Sequence, residues 1–251
     1  MSDLRLERAD GVLTLVLDRP AKRNALSLPL VEAMHVALDA AALDPDVRVV
    51  ALRGAGRDFC AGADLDELLA SADRPPEENE RDAMRLGALF MRLRQFPRPV
   101  VAVVAGRALA GGAGLATACD LVLCSASAQL GYPEMQRGFV PAMVMTLLRR
   151  LVGERRAFEL VATGRLLSAD EALALGLVTR VVPDAELDAT ATDLLRQLAE
   201  ASPSAMHLTK RLFYELDGRS FDDGIALGAR VNALARTTPE FRAAIARFLA
   251  R

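Results

Sequence analysis

Short runs of β-branched and aliphatic residues alternate along this chain with longer stretches in which apolar side chains recur every three or four positions. The runs VVALRG (Val49–Gly54), VVAVVAG (Val100–Gly106) and Leu121–Cys124 are almost wholly apolar, as strands buried on both faces are. Val12–Leu17 reads as a further strand, ended by Pro20. Between these runs the helical period returns. Ser27 stands as an N-cap with Pro29 in the first turn of a helix running towards Leu43. Leu65–Ala70 begins a second helix, and a third runs from about Met84 to Gln95, stopped by Pro97. Ser168-Ala-Asp-Glu171 has capping-box spacing and starts another. From Leu187 onward the pattern is nearly all helical, broken at Pro203, Gly218 and Pro239. Ser71–Asp82, with two prolines and almost no apolar content, predicts a mobile surface loop, either a lid over a site or an ordinary solvated insertion. These periods give an α/β body over residues 1–186 and a helical C-terminal region over 187–251. No linker separates the two, so they are expected to form one continuous unit.

Bulk composition narrows the function classes. At 251 residues the chain can bury one substantial core, and its net charge of −2 gives no electrostatic reason to bind nucleic acid or an anionic membrane. Cys60, Cys119 and Cys124 lie in apolar surroundings without a CxxC pair, which predicts reduced core residues and a cytoplasmic location. The first ten residues are charged and lack a signal-type apolar segment, and no apolar run reaches membrane-spanning length. His35 and His207 are the two histidines and no ligands cluster, so no metal site is expected.

The chemistry concentrates in two segments rich in small residues, Phe59–Asp64 (FCAGAD) and Gly106–Asp120 (GRALAGGAGLATACD), each following a predicted strand. Gly106–Gly112 is not followed by Lys-Ser/Thr, and Gly112 and Gly114 lack the third glycine of a dinucleotide fingerprint. Two glycine-bearing turns after strands can instead aim two backbone N–H groups at one oxygen, the layout of an oxyanion hole. Taken singly, either segment reads first as close packing of a helix on a strand.

Five pieces in order resemble the enoyl-CoA hydratase/isomerase, or crotonase, superfamily: Leu17–Ser27, Arg57–Leu68, Arg98–Leu123, Ala128–Ala142 and Thr163–Val182. The resemblance implies a spiral of ββα turns, with a helical C-terminal region that helps build homotrimers or dimers of trimers and completes part of the coenzyme A pocket. It implies an acyl-CoA thioester substrate, with coenzyme A entering as part of the substrate and no separate cofactor. By the same resemblance Ala61 and Gly111 are the two oxyanion donors, and Glu134 in GYPEM is the acid–base group. Lys22 and Arg23 are expected near the nucleotide end of coenzyme A and Lys210 or Arg211 at its phosphates, while Asp64, Tyr132 and Gly114 are substrate-binding candidates, with capping the default reading for Asp64 and packing for Tyr132.

Position 114 departs from the pattern. Family hydratases with two catalytic glutamates carry one there, whereas this chain has Gly114. One carboxylate suffices to move a proton from the α- to the γ-carbon of a 3-enoyl thioester, so isomerisation is favoured. Three readings stay open at this point: an isomerase using Glu134 alone, a hydratase with an unseen second proton-handling group, and a non-enzymatic CoA-thioester-binding member. Gly114 is also expected to open space for a branched or carboxylated acyl group of the methylglutaconyl type.

Overall fold

A computed structural model describes residues 3–250. Its strands are β1 (Leu4–Ala9), β2 (Val12–Leu17), β3 (Val49–Gly54), β4 (Val100–Val104), β5 (Arg107–Leu109), β6 (Leu121–Ser125), β7 (Gln129–Gly131), β8 (Leu166–Ser168) and β9 (Arg180–Val182). Six of them form one sheet in the order β1-β2-β3-β4-β6-β9, parallel except for the β1–β2 hairpin. The other three form a small second sheet, β5-β7-β8. Asp10 and Gly11, at φ +49° and +78°, make the tight hairpin turn that an Asp-Gly pair favours. In β1 only Leu4 is buried, so its weak apolar pattern conceals a strand that the Asp-Gly turn could have disclosed.

Helices α1 (Leu28–Leu43), α2 (Leu65–Ala70) and α3 (Pro76–Gln95) precede α4 (Gly111–Thr117), α5 (Ala142–Val152), α6 (Glu154–Thr163) and α7 (Ala169–Ala174). Four more follow: α8 (Leu187–Glu200), α9 (Pro203–Glu215), α10 (Phe221–Ala235) and α11 (Pro239–Leu249). Local signals set several boundaries. Ser27 accepts the Leu30 N–H at the start of α1, and Ser168 and Glu171 close their capping box at the start of α7. The polar stretch 71–82 departs from the expected loop, because Pro76 opens α3 and residues from 76 onward are helical. Proline at a first helical position lacks only a donor that has no intrahelical partner, so Pro76 starts this helix without cost.

The strand runs are continuously apolar because both faces of the main sheet are covered. Val50, Leu52, Val100, Ala102 and Val104 point into a core shared with α1 and α3. Alternate residues Val49, Ala51, Val101, Val103 and Leu123 meet Leu187, Ala191, Leu195 and Ala199 of α8. The helical C-terminal region therefore supplies one layer of the body's own sandwich. Among the described residues no helix is long and apolar enough to cross a membrane.

Helix α9 is fastened to the body by a buried cation. The Lys210 ammonium donates to the carbonyls of Leu93 (2.9 Å) and Arg98 (3.0 Å) and to the Asp120 carboxylate (2.7 Å). Asp120 also accepts the Val100 N–H at 2.7 Å and the Tyr214 hydroxyl at 2.8 Å. Burial pushes the Lys210 ammonium below its ordinary pKa, with the Asp120 charge opposing. The expected role of Lys210 at coenzyme A phosphates is corrected: the side chain is 8% exposed and each of its donors is engaged. Removing one partner of such a buried pair leaves the other charge uncompensated. Lys210→Ala is expected to lower the unfolding free energy by about 3 kcal/mol in denaturant titration.

Candidate active site

The two small-residue segments meet backbone to backbone. Cys60 bridges β5, donating to the Arg107 carbonyl (3.1 Å) and accepting from Leu109 (2.9 Å). The chain then turns through Gly62, at φ +97°, and pairs with the segment after the first 3-10 turn. There Leu26 N–H donates to Gly62 and Asp64 N–H donates to Leu26. In that parallel bridge Ala63 is the residue opposite Leu26, so its own N–H points away from Leu26. Ala63 N–H makes no hydrogen bond among the described residues. The expected donor Ala61 is corrected, because its N–H is already given to the Arg23 carbonyl at 2.9 Å. The inward-facing N–H of FCAGAD is thus two residues further on, at Ala63.

Gly111 supplies the second free donor. It is the first residue of α4, where N–H groups have no intrahelical partner, and it is buried. Ala110, just before it, sits at φ +51°, ψ −124°, a conformation L-residues rarely adopt and one that costs about 1–3 kcal/mol. Hydrogen bonds hold it there: its N–H donates to Gly131 (2.8 Å) and its carbonyl accepts from Gly114 (3.0 Å). The turn brings Gly111 against the other segment, so that a Cβ built on Gly111 would lie 3.8 Å from Ala63 N. Gly112 is what permits the approach, since any Cβ there would stand 2.3 Å from the Cys60 carbonyl oxygen.

Glu134 enters from the same edge. Strand β7 ends at Gly131, paired with Leu109, and the 3-10 turn Pro133–Arg137 follows. Three carboxylate side chains are buried among the described residues: Asp58, Asp64 and Glu134. Asp58 receives Nε and Nη2 of Arg107 at 3.0 and 3.1 Å, and Asp64 receives Arg19 at 2.8 Å. Burial alone would raise both, but these hydrogen bonds outweigh it and hold both acids below the ordinary aspartate value. Glu134 has no such partner. It is 7% exposed, its Oε2 makes no hydrogen bond among the described residues, and burial pushes its pKa up against the weaker opposing pull of its own backbone N–H and Arg137.

The Ala63 and Gly111 N–H groups, close to one another, and the buried Glu134 Oε2 have no hydrogen-bond partner among the described residues. Residues 7–249 match the family model described as Enoyl-CoA hydratase/isomerase. This chain belongs to the enoyl-CoA hydratase/isomerase family. A member from Thermus thermophilus is 44% identical over 94% of each chain. The 2,3-dehydroadipyl-CoA hydratase of Escherichia coli is 34% identical, over 99% of this chain and 96% of its own. Among solved structures, an enoyl-CoA hydratase of Mycobacterium smegmatis superposes with a TM-score of 0.96 at 32% identity, covering 100% of this chain and 97% of its own. The fold is therefore the crotonase fold, and members of the family act on acyl-CoA thioesters.

The remaining expected residues of this enoyl-CoA hydratase/isomerase family member divide. Lys22 and Arg23 are exposed at the end of the 3-10 turn Pro20–Lys22, with Lys22 paired to Asp66. Asp64 is corrected from a substrate contact to an N-cap, accepting the Asp66 N–H at 3.1 Å while paired with Arg19. Tyr132 is 1% exposed; its hydroxyl lies near Thr117 and Glu134 without a hydrogen bond of good geometry, so it is core rather than a wall of an open pocket. Gly114 does not open space: Val144 and Phe90 fill it, leaving no added room for a branched or carboxylated acyl group. Asn24 was not singled out by its sequence. It is fully buried at φ +56°, accepts the Arg19 N–H and donates to the Ala55 and Asp58 carbonyls, tying the segment before Leu26 to the loop before Phe59. Carboxyl ¹³C NMR titration is expected to show Glu134 protonating with a midpoint above the ordinary 4.5, while Asp58 and Asp64 stay ionised below 3.8.

Proposed function

We propose that this chain is an enoyl-CoA isomerase that holds a thioester enolate between the N–H groups of Ala63 and Gly111 and uses Glu134 as its single acid–base group. The observation that carries the reading is the pair of neighbouring N–H groups, Ala63 and Gly111, without partners among the described residues, together with the buried, unpartnered Glu134 Oε2 on the chain that leaves β7, the strand bonded to Ala110. A thioester α-proton is weakly acidic, and removing it puts negative charge on the carbonyl oxygen. Donors already fixed near one another stabilise that charge without reorganising. Glu134 takes the α-proton as a carboxylate, and its raised pKa makes it a stronger base and a competent acid for the return step. The proton goes back to the γ-carbon while the double bond moves from β,γ to α,β, so nothing is gained or lost overall.

Lys22 and Arg23, both exposed, are proposed to meet the nucleotide end of coenzyme A. Phe221 and Ile225 of α10 and Ile245, Phe248 and Leu249 of α11 are exposed. Covering that apolar surface supports a homo-oligomer, a trimer or a dimer of trimers. A second reading, hydration of a 2-enoyl thioester, is favoured by the name of the Escherichia coli relative. It requires a second group to hold water, and position 114 offers none.

Glu134→Gln is expected to bind a CoA thioester as tightly as the parent and to lose roughly 10²–10⁴-fold in turnover of a short 3-enoyl-CoA. Unchanged turnover in that variant excludes Glu134 as the base. Because the base works ionised, kcat/KM is expected to fall as pH drops through the raised pKa, giving an acid limb centred above 4.5. Gly111→Pro removes the donor at a helix position that accepts proline, and is expected to lower kcat by about 10²–10³-fold with circular dichroism unchanged.

A further inference from the structure

We propose that Val144 and Phe90 form an apolar stopper over the Gly114 turn of α4, and that this stopper fixes the outcome of the reaction by keeping water from the substrate's double bond. The inference rests on the reading that the thioester carbonyl lies at Ala63 and Gly111. Gly114 is three residues beyond Gly111, on the same helical face and one turn further along. Its missing side chain leaves no vacancy. A Cβ at 114 would stand 2.3 Å from Val144 Cγ1, 2.9 Å from Phe90 Cζ and 3.2 Å from Phe90 Cε2, the first two closer than real Cβ contacts come. Val144 of α5 and Phe90 of α3 are each 4% exposed and belong to the main core. Val144 is β-branched and stiff at χ1, so it cannot swing aside cheaply. The chain has closed α5 onto α4 where another carboxylate would project.

The chemical consequence follows from what each reaction needs. Isomerisation moves one proton, from the α-carbon to the γ-carbon, and Glu134 can carry it both ways. Hydration adds a water oxygen to the β-carbon and a proton to the α-carbon, so a water must be held against the double bond by polar partners. The stopper presents a methyl group and an aromatic edge. A space lined in that way stays dry, because a buried water needs about two to four hydrogen bonds. Product thus leaves as the unhydrated 2-enoyl thioester.

The experiment compares four proteins: the parent, Gly114→Glu, Val144→Ala and the double variant. Each is melted, and each is incubated with a short 2-enoyl-CoA in ¹⁸O water with mass analysis of the products. Gly114→Glu alone is expected to melt roughly 5 °C or more below the parent, through overpacking, and to hydrate no faster than it. Adding Val144→Ala is expected to restore at least half of that loss and to raise ¹⁸O incorporation at least tenfold over the parent. The proposal is overturned if Gly114→Glu alone melts like the parent and hydrates as fast as the double variant. It is also overturned if the double variant improves on neither measure, or if the parent already hydrates at the double variant's rate. Failure of the parent to isomerise a 3-enoyl-CoA, with the melting recovery and the gain of ¹⁸O intact, would remove the isomerase reading and leave the stopper standing.

Discussion

Close backbone contact between the Phe59–Asp64 segment and the first turn of α4 is the constraint on which the site depends. Gly112 lets the helix rest on the Cys60 carbonyl, and Gly62 reverses the chain with Ala110 and Gly111 against it. Neither segment could make this approach with larger residues. The strained Ala110 is the local cost of turning β5 into α4 within one residue, and it is held by a carbonyl from β7 and an amide of α4 itself. The same β7 leads directly to Glu134. Gly111 and Glu134 are therefore positioned by one small sheet and its outgoing turns, whereas Ala63 is set by the pairing of its segment with Leu26.

The electrostatics of that region sort three buried acids into different roles. Asp58 and Asp64 are neutralised by Arg107 and Arg19, and they lock the loop after β3 and the start of α2. Glu134 has no ion pair among the described residues, and burial raises its pKa against the weaker pull of Arg137. A carboxylate that structure does not need is one that chemistry can use.

Much of this was legible in the sequence, and the exceptions have a common cause. Apolar runs announced β2, β3, β4 and β6, and serine caps announced α1 and α7, because these signals are local. Glu134 and Gly111 stand out in the sequence only through the motif that carries the family resemblance. That the Ala61 N–H is engaged and the Ala63 N–H is not is invisible in the sequence, because the direction of an N–H depends on pairing with Leu26, a contact between segments far apart in the chain. Lys210 looked like any surface lysine, since its partner Asp120 lies 90 residues away. Gly114 read as open space for the same reason: Val144 and Phe90 come from other helices. Residues 76–82 failed differently, a polar helix face lying where composition suggested a loop.

The sandwiching of the sheet by α8 has a consequence for biosynthesis. Val49, Ala51, Val101, Val103 and Leu123 are translated well before the Leu187–Ala199 face that covers them, and Asp120 precedes its cation by 90 residues. At roughly 5–20 residues per second, Lys210 trails Asp120 by about 5–18 seconds. Until Ala199 is made, 76 residues after Leu123, that apolar sheet face has no cover of its own, and it is then that the nascent chain is most exposed to aggregation and to capture by chaperones. The last quarter of this protein is thus the part that lets the first three quarters finish folding.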